Sequence, residues 1–273
     1  MALDVRRGSR RFDPPPAARG TLQEAGDIAQ FAVRLGRSLR YVGPYLGEAL
    51  RQAAIIATGS TLVIVVIAFL AGGSCGLESS VLARSFGATP IAGGFSSWCT
   101  LREVVPFVFG YIVAAKVGCG MVAELGAMRV AEEVDAIEAM GVRSLAYLGA
   151  TRLLGCAIAL PAAYLLAVAA SYSAAYLMSV ERFGDVSPGT WKLFFFSFQD
   201  GWDLAYSMVK GLVIALFVIV VALHHGYGLR GRGPVDVGVA TARSMAVSIV
   251  GVTLISMVGT LIFWGANPRI PFG

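Results

Sequence analysis

The chain has 273 residues, of which 56% are hydrophobic and only 14% are charged, against roughly 25% charged residues in an ordinary soluble domain. A soluble fold could not bury this much apolar surface, whereas a bilayer accepts helices that are apolar on every side. The net charge of +5 does not indicate nucleic-acid binding, because the arginines flank apolar segments and suit anionic lipid headgroups. The composition therefore predicts an integral membrane protein.

The first 51 residues divide into two predicted segments. Residues 1–20 are basic and proline-rich, which predicts a disordered tail. Residues 21–51 place apolar side chains at helical spacing and arginines elsewhere, as in an amphipathic helix on the cytoplasmic interface. A soluble helix that packs on a partner protein is the alternative. The apolar stripe comprises Leu22, Ala25, Ile28, Ala29, Ala32, Leu35 and Leu39.

Residues 52–273 contain five apolar runs, each long enough to cross a bilayer. The segment 72–102 is glycine-rich and is predicted to be a re-entrant or partial helix, and residues 179–206 are predicted to form an interfacial loop. The predicted fold is an all-α integral membrane domain with an N-terminal interfacial helix and five transmembrane helices. The runs are residues 53–71, 104–123, 153–178, 207–223 and 244–264.

The distribution of lysine and arginine predicts the orientation of the chain. Ten basic residues flank the spans on the side of the N-terminus and five on the other. Basic residues favour the cytoplasm, so we expect a multi-pass protein of the cytoplasmic membrane with its N-terminus inside and its C-terminus outside. Cys75 and Cys99 bracket one predicted outer loop, and the sequence leaves open whether they form a disulfide.

Catalytic and metal-binding patterns are missing from the sequence. None of the three lysines lies in a phosphate-binding loop motif, and no serine elbow, HExxH or CxxC pattern occurs. The only histidines, His224 and His225, end the fourth span, where a structural role is expected. The sequence thus predicts a protein that is not an enzyme and that binds no cofactor or metal of its own.

Residues 101–141 are the most informative stretch. Gly110, Ala114 and Gly118 recur at every fourth residue, a pattern typical of close helix packing in membranes. An acidic amphipathic helix follows at about residues 129–141 and is predicted to dock on a soluble partner; a solvated connecting helix is the alternative. The residues of its two faces are Val130, Val134, Ile137 and Met140 on the apolar side, and Glu132, Glu133, Asp135 and Glu138 among the acids.

Four charged residues in or near the spans are candidates for a substrate pathway. Arg102 and Glu103 stand at the outer mouth of the second span, where a surface ion pair is the alternative to a role at the exit. Lys116 lies inside the second span and either pairs structurally or meets a lipid headgroup. Lys210 lies three residues into the fourth span, from which it could extend to the outer interface.

Residues 124–128 (ELGAM) and 132–141 (EEVDAIEAMG) resemble the signature of the MlaE/YrbE family, the permeases of lipid ABC transporters. Arg102-Glu103 before Pro106 and Thr151-Arg152 fit the same family. Residues 231–238 (GRGPVDVG) resemble an element of the actinobacterial YrbE permeases of Mce systems. The chain departs from that element at Arg230 and Arg232, where small residues are more usual.

The resemblance implies an MlaE-like permease fold that works as half of a dimer with a second, homologous YrbE-type permease. It implies two ATPase subunits, which hold ATP and Mg²⁺, and MCE-domain proteins that conduct lipid on the outer side. The cargo would be a hydrophobic lipid such as a fatty acid, a sterol or a phospholipid. A secondary lipid transporter or channel without an ATPase is the alternative. The implied coupling residues are Glu132, Glu133, Val134, Asp135, Ile137, Glu138, Met140 and Gly141.

Overall fold

The computed structural model describes residues 16–229 and 233–265, and all regular secondary structure in these two ranges is helical. Short 3₁₀ and π-helical segments adjoin the α-helices, the π segments being Cys99–Val104, Val113–Gly118, Leu145–Ala150 and Leu177–Arg182. The α-helices are α1 (Pro16–Ser38), α2 (Leu46–Ser85), α3 (Ala92–Trp98), α4 (Val105–Ile112), α5 (Cys119–Val130), α6 (Glu133–Ala139), α7 (Thr151–Tyr176), α8 (Pro188–Ser197), α9 (Asp203–Tyr227) and α10 (Pro234–Trp264).

The described residues contain five helical stretches that are long and apolar enough to cross a membrane, so the prediction of an N-terminal helix followed by five spans is confirmed. These stretches extend well beyond the predicted apolar runs. At a rise of 1.5 Å per residue, the 40 residues of α2 measure about 60 Å, twice the roughly 30 Å of a hydrocarbon core. The stretches are Gly43–Ser85, Thr89–Val130, Leu145–Arg182, Asp203–Tyr227 and Pro234–Trp264.

The glycine-rich segment 72–102 forms neither a re-entrant helix nor a long loop. It continues α2 to Ser85 and, after a turn at Gly87 with a φ of +66°, begins the second span. The glycines serve helix packing: a Cβ on Gly72 would clash with the Ser171 backbone, and one on Gly76 would lie 2.6 Å from the Ala175 carbonyl oxygen. Glycine content here reflects the close approach of α2 to α7.

The predicted helix at 21–51 is divided in two. It starts at Pro16, so residues 16–20 are helical rather than part of a disordered tail, and residues 1–15 lie outside the described ranges. It ends at Ser38, and two 3₁₀ turns lead to Leu46, where α2 begins. Pro44 explains the break, because its ring fixes φ and removes one backbone donor.

The buried face of α1 differs from the predicted stripe at both ends. Ile28, Phe31 and Leu35 pack against the rest of the chain, while Leu22 and Leu39 are exposed. Phe31 contributes an edge-to-face contact with His224 at the end of α9, with ring centroids 5.4 Å apart. The amphipathic helix is therefore attached to the end of the bundle that also carries α6.

Helix α9 occupies the middle of the helix bundle. It contacts α4, α5, α7 and α10, and its residues Ile214, Val218 and Leu223 are fully buried. Helix α10 packs on α9 but leaves an apolar face uncovered that includes Leu254 and Leu261. A face of this kind suits lipid tails or another membrane helix.

Cys75 of α2 and Cys99 at the start of the first π segment form a disulfide, with their Cα atoms 5.8 Å apart. The structure thus decides between the two alternatives that the sequence left open. The bond joins the C-terminal part of α2 to the segment that carries Arg102 and Glu103, so it fixes that segment against the first span.

Candidate functional site

Charged residues from two spans meet polar side chains of a third at the end of the bundle near the disulfide. The Lys210 ammonium group donates to the Arg102 carbonyl oxygen at 2.8 Å and to the Thr260 hydroxyl at 2.6 Å, and it lies 3.3 Å from a Glu103 carboxylate oxygen. Lys210 is only 1% exposed. The prediction that its side chain extends to the interface is wrong, because Glu103 and Thr260 provide partners inside the bundle.

Arg102 belongs to the same group of charges through a residue that the sequence analysis missed. Its Nη2 atom lies 3.1 Å from Asp203 Oδ2, and the indole nitrogen of Trp264 donates to Asp203 Oδ1 at 2.8 Å. The Arg102 guanidinium also faces the ring of Trp98 at 4.9 Å. Asp203 starts α9 and is 1% exposed; an acid at the first residue of an apolar span was the available signal.

Arg102, Glu103, Asp203 and Lys210 together form what we call the outer charge cluster, a name that follows the orientation predicted from the sequence. The adjacent residues Arg102 and Glu103 do not pair with each other at the surface; each pairs with a residue of α9. Two positive and two negative charges therefore meet in a mostly buried position, where each charge offsets the desolvation of its partner. Glu103 is less buried than the other three residues, since 48% of its side chain is accessible.

The exposed side of Glu103 faces an apolar cavity of about 460 Å³ between the π segment Cys99–Val104, α4 and α10. Phe107, Met257 and Leu261 supply apolar walls, and Thr260 stands beside the carboxylate. The Thr260 hydroxyl donates to Glu103, which orients the carboxylate at one end of the cavity. The arrangement can accept an apolar chain whose polar end lies against Glu103.

Lys116 does not join the outer charge cluster. It is exposed on the π segment Val113–Gly118 and forms no ion pair with any described residue. Gly110 and Gly118 share the buried side of the same span: a Cβ on Gly110 would clash with Ile214, and one on Gly118 would lie 3.4 Å from a methyl of Val218. Ala114 is also buried there. This small-residue face packs within the chain.

The predicted acidic helix is shorter than residues 129–141. Helix α6 comprises Glu133–Ala139 and follows a sharp break at Glu132, whose φ is +59°. Its apolar side is mostly covered by this chain, because Val134 is fully buried and Ile137 is half-buried against the core. Met140, 71% exposed, keeps an apolar side chain free. The expectation that Val130, Val134 and Ile137 form one open stripe is therefore wrong for Val134.

Two of the four acids fasten α6 to the bundle. Arg129 donates to Asp135 and to the Tyr227 carbonyl oxygen, both at 2.9 Å. Glu138 accepts hydrogen bonds from the hydroxyls of Ser144 and Tyr227, and these bonds lower the pKa of its carboxyl group.

The side chains of the other two acids, Glu132 and Glu133, are exposed and have no hydrogen-bond or ion-pair partner among residues 16–229 and 233–265. Gly141 ends the element with a φ of +78°, a conformation that glycine adopts without strain.

Helix α1 is tied to the same end by ionic contacts. Both carboxylate oxygens of Glu24 accept hydrogen bonds from Arg243 at 2.8 Å, and His225 Nε2 lies 3.1 Å from the same carboxylate. Arg243, followed by His225, lowers the pKa of Glu24. His225 therefore has the structural contacts expected of it.

Comparison with known proteins identifies the family of this arrangement. The sequence profile of the family described as Permease MlaE matches residues 49–262, which cover most of each of the five apolar stretches. The chain belongs to the MlaE permease family. It is a multi-pass permease subunit of the ABC transporter type and not an enzyme, as the sequence predicted.

Relatives resemble this MlaE permease over most of their length at low identity. A probable ABC transporter permease protein of Rickettsia bellii is 25% identical over 89% of this chain and 95% of its own length. The intermembrane phospholipid transport system permease protein MlaE of Haemophilus influenzae is 26% identical over 80% of this chain and 83% of its own. The chloroplastic protein TRIGALACTOSYLDIACYLGLYCEROL 1 of Arabidopsis thaliana is 26% identical over 65% of this chain and 51% of its own.

Proposed function

We propose that this MlaE permease is the membrane subunit of an ATP-driven transporter that moves a hydrophobic lipid across or out of the cytoplasmic membrane. The apolar cavity beside Glu103 supports a cargo with an acyl chain and a polar end. Phospholipid is the cargo named for the Haemophilus influenzae relative, and fatty acids and sterols have the same apolar character.

The outer charge cluster and Lys116 are the proposed contacts of the cargo. The charges of the cluster cancel, and Glu103 is its accessible member. A headgroup that binds Glu103 would compete with Lys210 and Thr260 for the Glu103 carboxylate. Lys116 would cost on the order of 3 kcal/mol if it faced lipid tails at mid-bilayer. In the assembled transporter we therefore expect it to face a cavity or the second permease.

Helix α6 is the proposed contact with the ATPase, and its exposed acids are the observation that carries the proposal. Glu132 and Glu133 point away from the bundle without partners in the described ranges, whereas Asp135 and Glu138 hold the helix to α5 and α9. A surface of this kind, fixed at its base and acidic outside, suits a basic groove on a soluble subunit. ATP and Mg²⁺ would bind to that subunit.

The remaining partners follow from the resemblance and are part of the proposal. They are a second YrbE-type permease and MCE-domain proteins on the outer side. The element at residues 231–238 supports the Mce subgroup. Its first two residues, and Arg230 before it, lie outside the described ranges.

The orientation is proposed with the N-terminus and α6 in the cytoplasm. The bias of basic residues supports it. The disulfide between Cys75 and Cys99 lies at the opposite end of the bundle, where an oxidising compartment would keep it intact.

Reversing one exposed charge tests the coupling role of α6. We expect Glu133→Lys to leave membrane insertion and thermal stability unchanged, because the side chain is exposed and forms no hydrogen bond or ion pair with a described residue. The variant should lose most of the co-purifying ATPase and most lipid transport in reconstituted vesicles. The measurements are the stoichiometry of the purified complex and the ATP-dependent transfer of labelled phospholipid.

Glu181→Lys is the matched control, since Glu181 is an exposed acid of the π segment Leu177–Arg182 at the other end of the bundle. We expect it to retain the ATPase. A Glu133→Lys variant with full ATPase and full transport would refute the coupling role. Wild-type transport without any ATPase would favour the secondary transporter or channel.

A further inference from the structure

Tyr227, the last residue of α9, lies where α6 meets the rest of the bundle. Its hydroxyl lies 2.6 Å from the Ser144 hydroxyl and donates to a Glu138 carboxylate oxygen at 3.1 Å. Its carbonyl oxygen accepts from Arg129 Nε at 2.9 Å, and the Arg129 guanidinium faces its ring at 4.7 Å. One residue of α9 therefore has polar contacts with α5, with α6 and with the residue just before the third span.

The side-chain attachment of α6 depends on this residue. Side chains of α6 form three hydrogen bonds to other parts of the described chain. Asp135 accepts one of them from Arg129, and Glu138 accepts the other two, from the hydroxyls of Ser144 and Tyr227. Arg129 and Ser144 are themselves hydrogen-bonded to Tyr227. Each of the three bonds therefore leads to Tyr227, either directly or through one of its partners.

Helix α9 connects this point with the outer charge cluster. Its 25 residues form one α-helix without proline, so it lacks the usual cause of a sharp kink. Its two ends are about 36 Å apart at a rise of 1.5 Å per residue. Near the end opposite Tyr227, Lys210 of α9 contacts Glu103, the accessible acid of the outer charge cluster. A displacement of Tyr227 would thus reach Glu103 through a single helix.

We propose that Tyr227 is a positioning residue that couples α6 to α9, so that a movement of α6 by the bound ATPase shifts the contact between Lys210 and Glu103. The proposal rests on the assignment of α6 as the ATPase contact and adds the route inside the permease. The Tyr227 hydroxyl joins the side chains of the two helices, and its ring faces Arg129. Without the hydroxyl, α6 would move against α9 while the ATPase stays bound to the exposed acids.

Tyr227→Phe tests the proposal in the reconstituted complex of the permease with its ATPase. The change removes the hydroxyl and keeps the ring beside Arg129. We expect the ATPase to stay bound, because Glu132 and Glu133 are unchanged. The measurement is the number of labelled phospholipid molecules transferred per ATP hydrolysed. This ratio should fall about tenfold, the factor that corresponds to one hydrogen bond to a charged group.

The ratio separates coupling from a merely structural role, because a smaller amount of folded complex would lower transfer and hydrolysis together. Tyr147→Phe is the matched control. Tyr147 lies at the same end of the bundle, in the π segment Leu145–Ala150, and its hydroxyl forms no hydrogen bond with residues 16–229 or 233–265. We expect this variant to keep the wild-type ratio. Ser144→Ala should lower the ratio less than Tyr227→Phe, since Tyr227 keeps its own bond to Glu138.

Three results would overturn the proposal: a wild-type ratio for Tyr227→Phe, an equal fall for Tyr147→Phe, or loss of the bound ATPase from the Tyr227→Phe complex. Wild-type transport without any ATPase would instead count against the proposed function. The failure of this coupling route is therefore distinguishable from the failure of the proposed function.

Discussion

At the scale of single residues, the buried charges of the outer charge cluster are each paired with an opposite charge. Asp203 and Lys210 are each 1% exposed, and an unpaired charge in such a place would cost several kcal/mol. Asp203 accepts hydrogen bonds from Arg102 and Trp264, and Lys210 has three partners. Through these contacts the cluster links the second, fourth and fifth spans.

Truncating Asp203 should therefore destabilise the protein strongly. Asp203→Ala removes a buried carboxylate that pairs with the Arg102 guanidinium and accepts from the Trp264 indole, and breaking a buried ion pair typically costs about 3–5 kcal/mol. We expect a thermal midpoint in detergent that is lower by many degrees. Arg51→Gln is the control, because the pair of Arg51 with Glu48 is exposed and 3.4 Å long and should contribute at most about 1 kcal/mol. Equal midpoints for the two variants would contradict the importance of the cluster.

At the scale of elements, the glycines of the second span differ in what they face. A Cβ on Gly110 would clash with Ile214 and would lie 2.9 Å from a methyl of Val252, whereas a Cβ on Gly118 meets Val218 at 3.4 Å. Ile214 and Val252 are fully buried, and β-branched side chains have little rotamer freedom. Of these two positions, only 110 therefore requires glycine.

Alanine substitutions should separate the two positions. Gly110→Ala forces α4 away from α9 and should cost about 1–3 kcal/mol. Gly118→Ala adds a methyl at ordinary contact distance and gains up to about 1 kcal/mol of helix propensity, so its stability should equal or exceed that of the wild type. Thermal unfolding in detergent measures both. Gly120→Ala, with nothing within 4 Å of its Cβ, reports the propensity effect alone, and a Gly110→Ala midpoint that matches it would refute the packing argument.

At the scale of the whole molecule, the orientation proposed above places the two ends of the helix bundle on opposite sides of the membrane. One end of the bundle carries α1 and α6, and the other carries the disulfide and the outer charge cluster. The two ends thus differ in chemistry, with ionic attachments at one and a covalent link at the other.

Cysteine labelling in intact cells tests this orientation. Glu133→Cys and Arg182→Cys place thiols at exposed positions at the two ends. A membrane-impermeant maleimide should label the Arg182→Cys variant in intact cells and the Glu133→Cys variant only after permeabilisation. The background is the wild-type chain, in which Cys156 is buried and Cys119 half-buried. The reverse pattern would invert the proposed topology.

The sequence predicted the five spans because apolar composition is a local property. It could not predict the partners of Lys210, since Glu103 lies 107 residues away along the chain and only the fold brings them together. It misjudged residues 72–102 for a similar reason. Glycine is common both in turns and at close helix contacts, and Gly72 and Gly76 face α7.

The acidic helix was only partly predictable from the sequence. Its acids and its place between two spans were evident from the sequence. Its apolar stripe appeared free for a partner, yet Val134 is buried by the chain itself. Periodicity identifies the apolar side of a helix but cannot tell which molecule covers it.

The bond between Cys75 and Cys99 encloses the turn at Gly87 in a covalent ring. Phe86 in that turn is 70% exposed, and an exposed turn is where a protease cuts most readily. A chain cut there would still hold its two halves together across the ring. Proteolysis at this turn would thus leave the first two spans covalently joined for as long as the disulfide stays oxidised.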